Sequence, residues 1–499
     1  MTVASSILEV LGTVSFPQGY GPEWGSGGVY GLKYHKGVLY FTLAFEARAY
    51  FIRGKSRGVT VYDYTLLGKE ASGGDTYNAS TAVDDVIFFG GWAHAPPTIR
   101  RNGRRRELDF TNKYSHIHAY NIKEDKVTLL WKESIHHPRH WAGEVSEIIY
   151  DPLKDVLYAA RGDGHDMLGV YEVDMQGRAV QVSPNPVLKG AVHLDHACFT
   201  LHGPGEWKPF RGYTCIEMGT GKTLTLTVDP DRVPSPDGEG VEKPRVGSTV
   251  SAYTKLYTMA RGGVFVGDPT SGDDPVFYRI LDFYPSHYGP LRVNTITPLA
   301  APLTVWNNMS HATVVGTDEV SGEMQVESRR VLAPSLLVSL EGPQPRIVAP
   351  LGVRATSLES LGDSIIIGYS TSPNLERYDS TRLDAGIRGL AALSLDMVAT
   401  AGGAEIVIRP PPSTAREGRV FGGIPLAGYK RPRAYFKTVN GAKVRVYTYN
   451  IGDPPGGAEV DDYTLSQGSN WIDLSAHGWG IVSFKILSGR VGRVAFTLD

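Results

Sequence analysis

Residues 137–174, HPRHWAGEVSEIIYDPLKDVLYAARGDGHDMLGVYEVD, contain one whole unit of the pattern that decides the fold. The runs EVSEIIY and VLYAA are rich in β-branched and aromatic residues, and a Pro-containing turn, DPLKD, separates them. The stretch therefore predicts a β-hairpin. If the turn is centred on Leu153, antiparallel pairing places Glu144 opposite Gly162 and beside Asp163.

The two ends of this hairpin differ in chemistry. We call the end at which the first strand begins and the second strand ends the open end, and the opposite end the turn end. The turn end carries turn residues only, which is typical of a hairpin whose open end faces a ligand. The open end gathers an indole, two carboxylates, a guanidinium and an imidazole, namely Trp141, Glu144, Arg161, Asp163 and His165.

The hairpin pattern recurs along the chain and predicts an all-β fold. Intervals of roughly 45 to 65 residues match a four-stranded propeller blade with loop insertions. We therefore expect a β-propeller, most simply a seven-bladed one, in which Ile7 to Val14 supplies the outermost strand of the last blade. An array of β-sandwiches is the alternative. The seven copies begin at Gly28, Asn78, Glu144, Val192, Thr249, Val293 and Ala355.

The C-terminal part of the chain has a different pattern. The Pro-rich, charged sequence RPPPSTAREGR (409–419) is typical of a linker. Beyond it, two strand-like runs flank Asn440-Gly441, a dipeptide that favours a type I′ hairpin turn. We expect a propeller over residues 1–412 and a small β-sandwich over residues 413–499.

Composition limits the classes of partner. Fifty Lys and Arg against 52 Asp and Glu give a net charge of -2, which does not favour a polyanionic partner such as nucleic acid or an acidic membrane. The basic run Arg100 to Arg106 has Asn-Gly at its centre and is interpreted as a solvated hairpin tip. The sequence shows neither a signal-like N-terminus nor a run of about 20 apolar residues, so we expect a cytoplasmic protein.

The two cysteines, Cys198 and Cys215, fall opposite each other if the runs around them form a hairpin. Two reduced thiols are favoured over a disulfide, because intracellular disulfides are uncommon outside hyperthermophiles.

Applying the same pairing to every copy gathers aromatic, acidic, amide and basic side chains in one funnel. Such a set suits a carbohydrate, whose C–H faces stack on indoles and whose hydroxyls need polar partners. Glu144, Asp163 and Glu217 are the predicted acid and nucleophile or base of a glycoside hydrolase. The predicted substrate-binding residues are Trp24, Glu46, Arg48, Asp75, Trp92, His94, Trp141, Arg161, His165, His193, Asp268, Arg292, Asn294, Asn307, His311 and Arg354.

Two other functions compete with hydrolysis. A non-catalytic propeller would bind a glycan or a protein with the same rim, since one fold hosts many functions. A metal-dependent lyase of uronic-acid oligomers would use His193 and Asp195, on one strand face, joined by His165 and His311. The chain lacks HExxH and CxxC motifs, so we expect no metal or other cofactor and a small-molecule or oligosaccharide substrate.

The runs HWAGEVSEIIYDP and DVLYAARGDGHDMLGVYEVD resemble an uncharacterised family of propeller proteins found mainly in thermophilic archaea. The resemblance covers residues 20 to 400 approximately. It implies a propeller fold and an archaeal source, and it assigns no catalytic residues.

Overall fold

The computed structural model shows an all-β chain whose sheets follow one another in sequence order. It describes residues 28–43, 46–54, 58–69, 71–96, 99–102, 105–204, 208–286, 288–308, 333–370, 388–400, 404–452 and 457–499. The run Ile7 to Val14, expected as an outer strand, lies outside these residues.

The first four sheets confirm the hairpin pattern, and all their strands pair antiparallel. In the second sheet both β5 and β6 pair with β7, and β8 and β9 form a separate hairpin whose tip lies outside the described residues. Sheet 1 contains β1 (Val29–His35), β2 (Val38–Leu43), β3 (Arg48–Ile52) and β4 (Val59–Asp63). Sheet 2 contains β5 (Ser72–Gly74), β6 (Ser80–Val83), β7 (Val86–His94), β10 (Lys113–Asn121) and β11 (Lys126–Glu133), with β8 (Ile99–Asn102) and β9 (Arg105–Leu108) as the separate hairpin. Sheet 3 contains β12 (Val145–Asp151), β13 (Val156–Arg161), β14 (Gly169–Asp174) and β15 (Ala179–Ser183). Sheet 4 contains β16 (Val187–His193), β17 (His196–His202), β18 (Phe210–Glu217) and β19 (Thr223–Thr227).

Three further sheets and a C-terminal sheet complete the described strands. The one α-helix within the described ranges, α1 (Leu395–Thr400), follows sheet 7. Sheet 5 contains β20 (Val246–Ala252), β21 (Lys255–Ala260), β22 (Gly263–Gly267) and β23 (Val276–Arg279). Sheet 6 contains β24 (Leu303–Trp306), β25 (Ser335–Ser339) and β26 (Arg346–Leu351). Sheet 7 contains β27 (Arg354–Leu361), β28 (Ser364–Ser370) and β29 (Arg388–Ser394). The C-terminal sheet contains β30 (Ile406–Ile408), β31 (Val420–Pro425), β32 (Arg433–Tyr449), β33 (Glu459–Leu465), β34 (Gly468–Asp473) and β35 (Ile481–Leu498).

The first strands of sheets 1 to 7 contact one another in a cyclic order. We use the term first strand for β1, β6, β12, β16, β20 and β27, and also for the segment 293–297, which is not a regular strand but bridges β24 through Ile296 and Leu303. Strand β1 contacts both β6 and β27, and β12 contacts β6 and β16, which in turn contacts β20. Side-chain hydrogen bonds join the remaining neighbours: Ser248 to Thr295 at 2.5 Å, and Asn294 to the Leu358 carbonyl at 2.7 Å. The seven first strands therefore surround a common axis.

A β-bulge lies near the start of five first strands, namely β1, β12, β16, β20 and β27. In the central hairpin Val145 pairs with Arg161, as predicted, but Glu147 pairs with Ala160 because Ser146 is an extra residue. The Ser146 hydroxyl donates to the Leu188 carbonyl of the next first strand at 2.5 Å. Thr356, extra in β27, donates to the Val29 carbonyl of β1 at 2.6 Å in the same way. The bulges thus join neighbouring first strands.

The fourth copy of the hairpin begins earlier in the sequence than predicted. We placed it at Val192, whereas the first strand is β16 and its partner is β17. Lys189 and Gly190 interrupt the apolar pattern of this strand, but Lys189 is buried by ion pairing rather than exposed. The fifth copy also begins earlier than predicted, since its first strand starts at Val246 rather than at Thr249.

The predicted C-terminal hairpin is wrong. Strand β32 runs continuously through Asn440-Gly441. Its first half pairs with β34 and its second half with β33, while β35 pairs along both halves. The pairing with β35 skips from Thr438 to Ala442, and Gly441 takes a φ of +83°. The dipeptide therefore forms a bulge that bends one long strand, since a partner strand on the far side keeps it extended.

The predicted linker is also wrong, because residues 409–419 pack against sheet 5 and its following loop. The Thr414 hydroxyl donates to the Phe283 carbonyl at 3.3 Å, and Arg419 contacts the Asp282 carboxylate at 3.1 Å. Strand β30, which precedes this segment, already pairs with β35. A single core, including Tyr449 and Phe484, extends from sheets 5 and 6 into the C-terminal sheet.

Cys198 and Cys215 lie opposite each other on β17 and β18, as the hairpin predicted. A disulfide joins them, which corrects the expectation of two reduced thiols. The described part of the chain contains no helix that is both long enough and apolar enough to cross a membrane.

Asp282 holds together the contact between sheet 5 and the C-terminal sheet. Its buried carboxylate contacts Arg279 at 2.5 Å and Arg419 at 3.1 Å. Replacing Asp282 by Asn is expected to lower the free energy of unfolding by about 3–5 kcal/mol, because it removes the buried carboxylate that Arg279 and Arg419 share and leaves Arg279 with Asp237 alone. The midpoint of urea unfolding measures this loss.

Asp462→Asn is the matched control for this prediction. Asp462 contacts Arg445 at 2.7 Å on the exposed face of the C-terminal sheet. Exposed ion pairs are screened by water, so the control variant is expected to unfold close to the wild-type midpoint. Equal midpoints for the two variants would contradict the role of Asp282.

Candidate functional site

A polar cavity of about 310 Å³ lies on the common axis. All seven first strands contribute to its lining, as expected for a channel surrounded by a ring. Burial decreases toward the turn end, where β1, β20 and β27 change from buried to half-buried residues. The lining residues are Leu32, Lys33, Asn78, Ser80, Glu147, Lys189, Gly190, Ser248, Thr249, Val250, Asn294, Thr295, Ile296, Thr297, Glu359 and Ser360.

Glu147 and Lys189 form a buried ion pair in this cavity, with the Lys189 ammonium 2.6 Å from the carboxylate. Lys189 also donates to the carbonyls of Tyr77 at 2.7 Å and Ser146 at 2.8 Å. Burial raises the pKa of Glu147, and the Lys189 charge offsets part of that increase. The pair therefore fixes one carboxylate at the wall of the cavity.

Glu359 is the second carboxylate of the cavity and has a weaker partner. The Lys33 ammonium lies 4.0 Å away, beyond hydrogen-bonding distance. Burial raises the pKa of Glu359 to about 7, although the Lys33 charge acts in the opposite direction. Near neutral pH this carboxyl group can therefore both hold and release a proton.

A buried network of charges lies at the open end of the same axis. We call Asp75, Thr76, Glu144, Asp163 and Arg292 the charge plug. Thr76 donates to Glu144 through its backbone N–H at 3.0 Å and its hydroxyl at 2.6 Å. Arg292 donates to the Thr76 hydroxyl at 2.5 Å and to Asp163 at 2.9 Å. The plug thus joins sheets 2, 3 and 6 across the axis.

The plug shifts the protonation of its acids. Burial raises the pKa of Glu144 to about 8, with a further contribution from the Asp163 charge, while Arg292 acts in the opposite direction. Burial also raises the pKa of Asp75 to about 6, against hydrogen bonds from Tyr77 and Ala79. Glu144 is only 2% exposed and is therefore enclosed.

Several predicted open-end residues lie where the pairing placed them, around the plug and the rim. The Lys113 ammonium lies 3.0 Å from the centre of the Trp141 indole and 4.3 Å from that of Trp92. Burial, assisted by the Lys113 charge, lowers the pKa of His94 to about 4. His165 accepts from the Trp141 backbone N–H at 3.4 Å. These groups form an aromatic rim beside sheets 2 and 3.

Other predicted residues have structural partners. Arg161 is fully buried and paired with Glu133, while Glu46 is paired with Arg388 at 2.6 Å. Arg48 is exposed at the start of β3. Asn307 exchanges two hydrogen bonds with Ala355, at 2.8 and 3.0 Å.

Asn294 and Arg354 lie closer to the axis. Asn294 lines the cavity while its amide holds Leu358. Arg354 is buried, and burial lowers the pKa of its guanidinium; Arg292 acts in the same direction and Tyr30 in the opposite one. Trp24 and His311 lie outside the described residues.

Three residues predicted at the open end, His193, Glu217 and Asp268, lie at the turn end instead. The reason is that the predicted fourth and fifth hairpins began several residues too late in the sequence. His193 ends β16 and contacts Asp268 at 3.1 Å and Ser251 at 3.0 Å. Glu217 ends β18 and accepts from the Thr220 hydroxyl at 2.8 Å. Glu217 is therefore separated from Glu144 and Asp163 by the length of the sheets.

The same phasing error affects the predicted metal ligands. His165 is at the open end and His193 at the turn end, so these two cannot share one ion. Asp195 is bound by His196 at 2.6 Å. Within the part of the chain that the structure describes, no three His, Cys, Asp or Glu side chains converge as metal ligands.

Sequence reasoning missed four charged residues of the cavity: Lys33, Glu147, Lys189 and Glu359. Each lies inside a first strand rather than at its open end. A charged residue within an otherwise apolar first strand was the available signal, since such a strand borders the axis.

Comparisons with known proteins give a family and a group of distant structures. A family model described as "Uncharacterized protein conserved in archaea (DUF2139)" matches residues 39–378, which confirms the resemblance found in the sequence. A search of curated proteins gives no match.

The similar structures include YjhT, with 9% identity, a TM-score of 0.37 and coverage of 68% of this chain and 99% of that one. Regucalcin from Agrobacterium tumefaciens, titled a calcium-binding protein, has 12% identity, a TM-score of 0.31 and coverage of 59% and 84%. An exo-β-1,3-galactanase from Phanerochaete chrysosporium has 9% identity, a TM-score of 0.29 and coverage of 98% and 100%. Likenesses this distant carry no argument about the chemistry of the cavity.

The raised pKa of Glu144 predicts a pH dependence of stability. The folded chain binds this proton up to about pH 8, whereas an ordinary Glu releases it near 4.5, so the free energy of unfolding falls as pH rises between these values. Glu144→Gln keeps an acceptor for Thr76 and cannot ionise. We expect the variant to match the wild type at pH 5 and to exceed its melting temperature at pH 9.

Thermal unfolding of both proteins from pH 5 to 9 measures this difference. Glu124→Gln, an exposed substitution, is the control and should follow the wild type throughout. A melting temperature of Glu144→Gln that stays below the wild type at pH 9 would show that Glu144 is needed as an anion.

Proposed function

We propose a glycoside hydrolase activity for this chain, which belongs to the family of uncharacterized proteins conserved in archaea (DUF2139). The proposal rests on one observation: a polar cavity contains two half-buried carboxylates with different partners. Its volume of about 310 Å³ falls at the lower end of small-molecule sites, which span roughly 300–1,000 Å³.

The two carboxylates suit the two roles that glycoside cleavage requires. Glu359 is the proposed general acid, since a pKa of about 7 lets it hold a proton for the leaving oxygen at neutral pH. Glu147 is the proposed base or nucleophile, since its ion pair with Lys189 favours the carboxylate form. Hydroxyl and amide groups of Ser248, Thr249 and Asn294 supply polar partners for sugar hydroxyls.

The sequence-based candidates Glu144, Asp163 and Glu217 remain predictions. The contacts of Glu144 and Asp163 favour a supporting role, because Thr76 and Arg292 already occupy these carboxylates in an enclosed network. We propose that the charge plug closes the open end of the axis and that substrate enters from the turn end.

We further propose that the fold is a seven-bladed β-propeller followed by a β-sandwich. Seven successive antiparallel sheets and the cyclic contacts of their first strands support the propeller. The C-terminal unit is proposed to begin at β30, which pairs with β35.

A non-catalytic propeller that binds a glycan is the second candidate. Its support is that Glu147 is already saturated by Lys189 and the Gly190 backbone, as in a site that holds a ligand without reacting. The two candidates differ in whether a carboxyl group must transfer a proton.

Glu359→Gln is expected to lower hydrolysis by at least about 100-fold, because the amide cannot donate the proton that the leaving group needs. A panel of chromogenic glycosides, assayed at elevated temperature, measures the rate. For the wild type, the rate should fall as pH rises through about 7, following loss of the Glu359 proton.

Glu341→Gln is the control, since Glu341 is a largely exposed partner of Arg346 at 3.8 Å. Full activity of Glu359→Gln would refute the assignment of the acid. Saturable binding of a sugar without cleavage by the wild type, retained in Glu359→Gln, would support the non-catalytic candidate.

A further inference from the structure

Exposed apolar side chains cluster on one side of the turn end. Leu194 lies in the turn between β16 and β17, Tyr253 in the turn between β20 and β21, and Leu299 in the turn that joins residues 293–297 to β24. Val192 precedes the first of these turns on β16. We call these four residues the apolar crescent, and each is between 48% and 60% exposed. Their first strands are consecutive around the axis, so the crescent follows one side of it.

The backbone of the crescent is strained at its three turns. Leu194, Tyr253 and Leu299 have φ values of +52°, +50° and +55°, in the left-handed region where Gly, Asn and Asp are the usual residues. A leucine or tyrosine in this conformation lowers stability, and its exposure to water forgoes the gain that burial would give. These turns therefore carry residues that folding alone does not favour.

The first-hairpin turns on the other side of the axis are charged or contain glycine. They are Lys36-Gly37 in sheet 1, Asp84-Asp85 in sheet 2 and Gly362-Asp363 in sheet 7. The Lys36 ammonium contacts the Asp85 carboxylate at 2.9 Å. Single exposed apolar residues are common on protein surfaces, but apolar residues on three consecutive turns form a patch, and such patches mark interaction sites. The turn end is therefore apolar on one side and polar on the other.

The crescent continues the wall of the central cavity. Gly190 lines the cavity, and Val192 stands on the same face of β16, because side chains alternate along a strand. Thr297 also lines the cavity, and Leu299 follows it by two positions in the sequence. The crescent therefore borders the cavity at the turn end.

The size of the cavity and its closed end determine how a ligand can lie in it. A cavity of roughly 150 Å³ encloses one benzene ring. The central cavity, at about 310 Å³, therefore holds one sugar unit rather than a chain of sugars. Asp75, Glu144 and Arg292 of the charge plug are buried at the open end, so a longer ligand cannot continue in that direction. The rest of the ligand must leave at the turn end, past the crescent.

We infer that the substrate is a single sugar unit linked to an apolar group, with the sugar in the cavity and the apolar group on the crescent. The inference rests on the proposed hydrolase activity in taking the cavity ligand to be a sugar. A glycoside of an apolar alcohol fits both surfaces, since its hydroxyls meet the polar cavity and its hydrocarbon meets the crescent.

The proposed acid lies on the side from which the apolar alcohol would leave. Glu359 follows Leu358, whose backbone N–H donates at 2.7 Å to Asn294, on the segment that leads to Leu299. The Glu359 proton passes to the glycosidic oxygen as the bond from that oxygen to the sugar carbon breaks. Water then gives its hydroxyl to the sugar carbon and its remaining proton to the Glu147 carboxylate. The alcohol departs over the crescent, and the free sugar remains in the cavity.

Calorimetric titration of the full chain with methyl and octyl glycosides tests the inference. Both anomers of the glucose, galactose and mannose derivatives are used, below the concentration at which the octyl compounds form micelles. For at least one sugar, the wild type should bind the octyl glycoside about tenfold or more tightly than the methyl glycoside, because burying about two methylene groups suffices. The double variant Leu194→Asn/Leu299→Asn should bind both compounds with equal affinity.

Two controls separate lost contact from lost folding. Asparagine is favoured at positive φ, so the melting temperature of the double variant should equal or exceed that of the wild type. Leu66→Asn is the matched substitution, since Leu66 is 59% exposed in the short 3₁₀ helix Tyr64–Leu67 after β4, the outermost strand of sheet 1. This control should keep the preference for the octyl glycoside.

Wild-type protein that binds no octyl glycoside, or binds octyl and methyl glycosides equally, would overturn the inference, as would an octyl preference that survives in the double variant. A wild-type dimer that the double variant loses, without an octyl preference, would also overturn it, because the crescent would then join two copies of the chain. Hydrolysis of the same compounds distinguishes the two proposals. An octyl preference without hydrolysis refutes the hydrolase but supports the apolar site, whereas hydrolysis without an octyl preference refutes the apolar site alone.

Discussion

The repeated bulge near the start of the first strands is the constraint on which the ring depends. A strand that borders a narrow axis must contact its neighbour closely without pairing with it. The extra residue at the bulge supplies that contact: Ser146 donates to the Leu188 carbonyl, and Thr356 donates to the Val29 carbonyl. At Gly247, the extra residue of β20, a side chain would collide with the Pro290 carbonyl. Neighbouring sheets are therefore joined by a few hydrogen bonds or close backbone contacts at one level of the ring.

The same bulges decide which side chains reach the axis. Inserting one residue reverses the alternation of a strand, so residues after the bulge face the side that simple pairing assigns to their neighbours. Glu147 follows such an insertion, Lys189 is part of one, and the two side chains meet at 2.6 Å. Arg292 completes the arrangement from the far side of the axis, contacting Asp163 and Thr76. Burying these charges is costly unless they are paired, which explains why the network is closed on itself at the open end.

Local features of this fold could be predicted from the sequence, whereas the residue at which each repeated hairpin begins could not. The central hairpin, the opposition of Cys198 to Cys215 and the gathering of Glu144 with Asp163 follow from pairing within one sheet. The fourth copy was misplaced because Lys189 has a charge whose partner lies on another sheet. The turn predicted at Asn440-Gly441 is wrong because the turn propensity of a dipeptide does not include the effect of a distant strand. Strand β35 pairs with both halves of β32 and holds it extended. The accessible end of the axis depends on all seven sheets together, so no single hairpin could indicate it.

Strand β16 shows how one bulge shapes two neighbouring cavities. Leu188 and Lys189 are the two residues that the bulge sets opposite Thr200, and the Lys189 backbone N–H donates to the Thr200 hydroxyl at 3.1 Å. Leu188 borders a small cavity of about 30 Å³, and Lys189 borders the central cavity. A movement of this bulge would therefore alter both cavities at once. The plug resists such movement, since Lys189 donates to the Tyr77 carbonyl and the Tyr77 ring lies 4.4 Å from the Arg292 guanidinium. The pairing of buried charges across the axis therefore holds the open end in place, whereas the residues at the turn end are less buried.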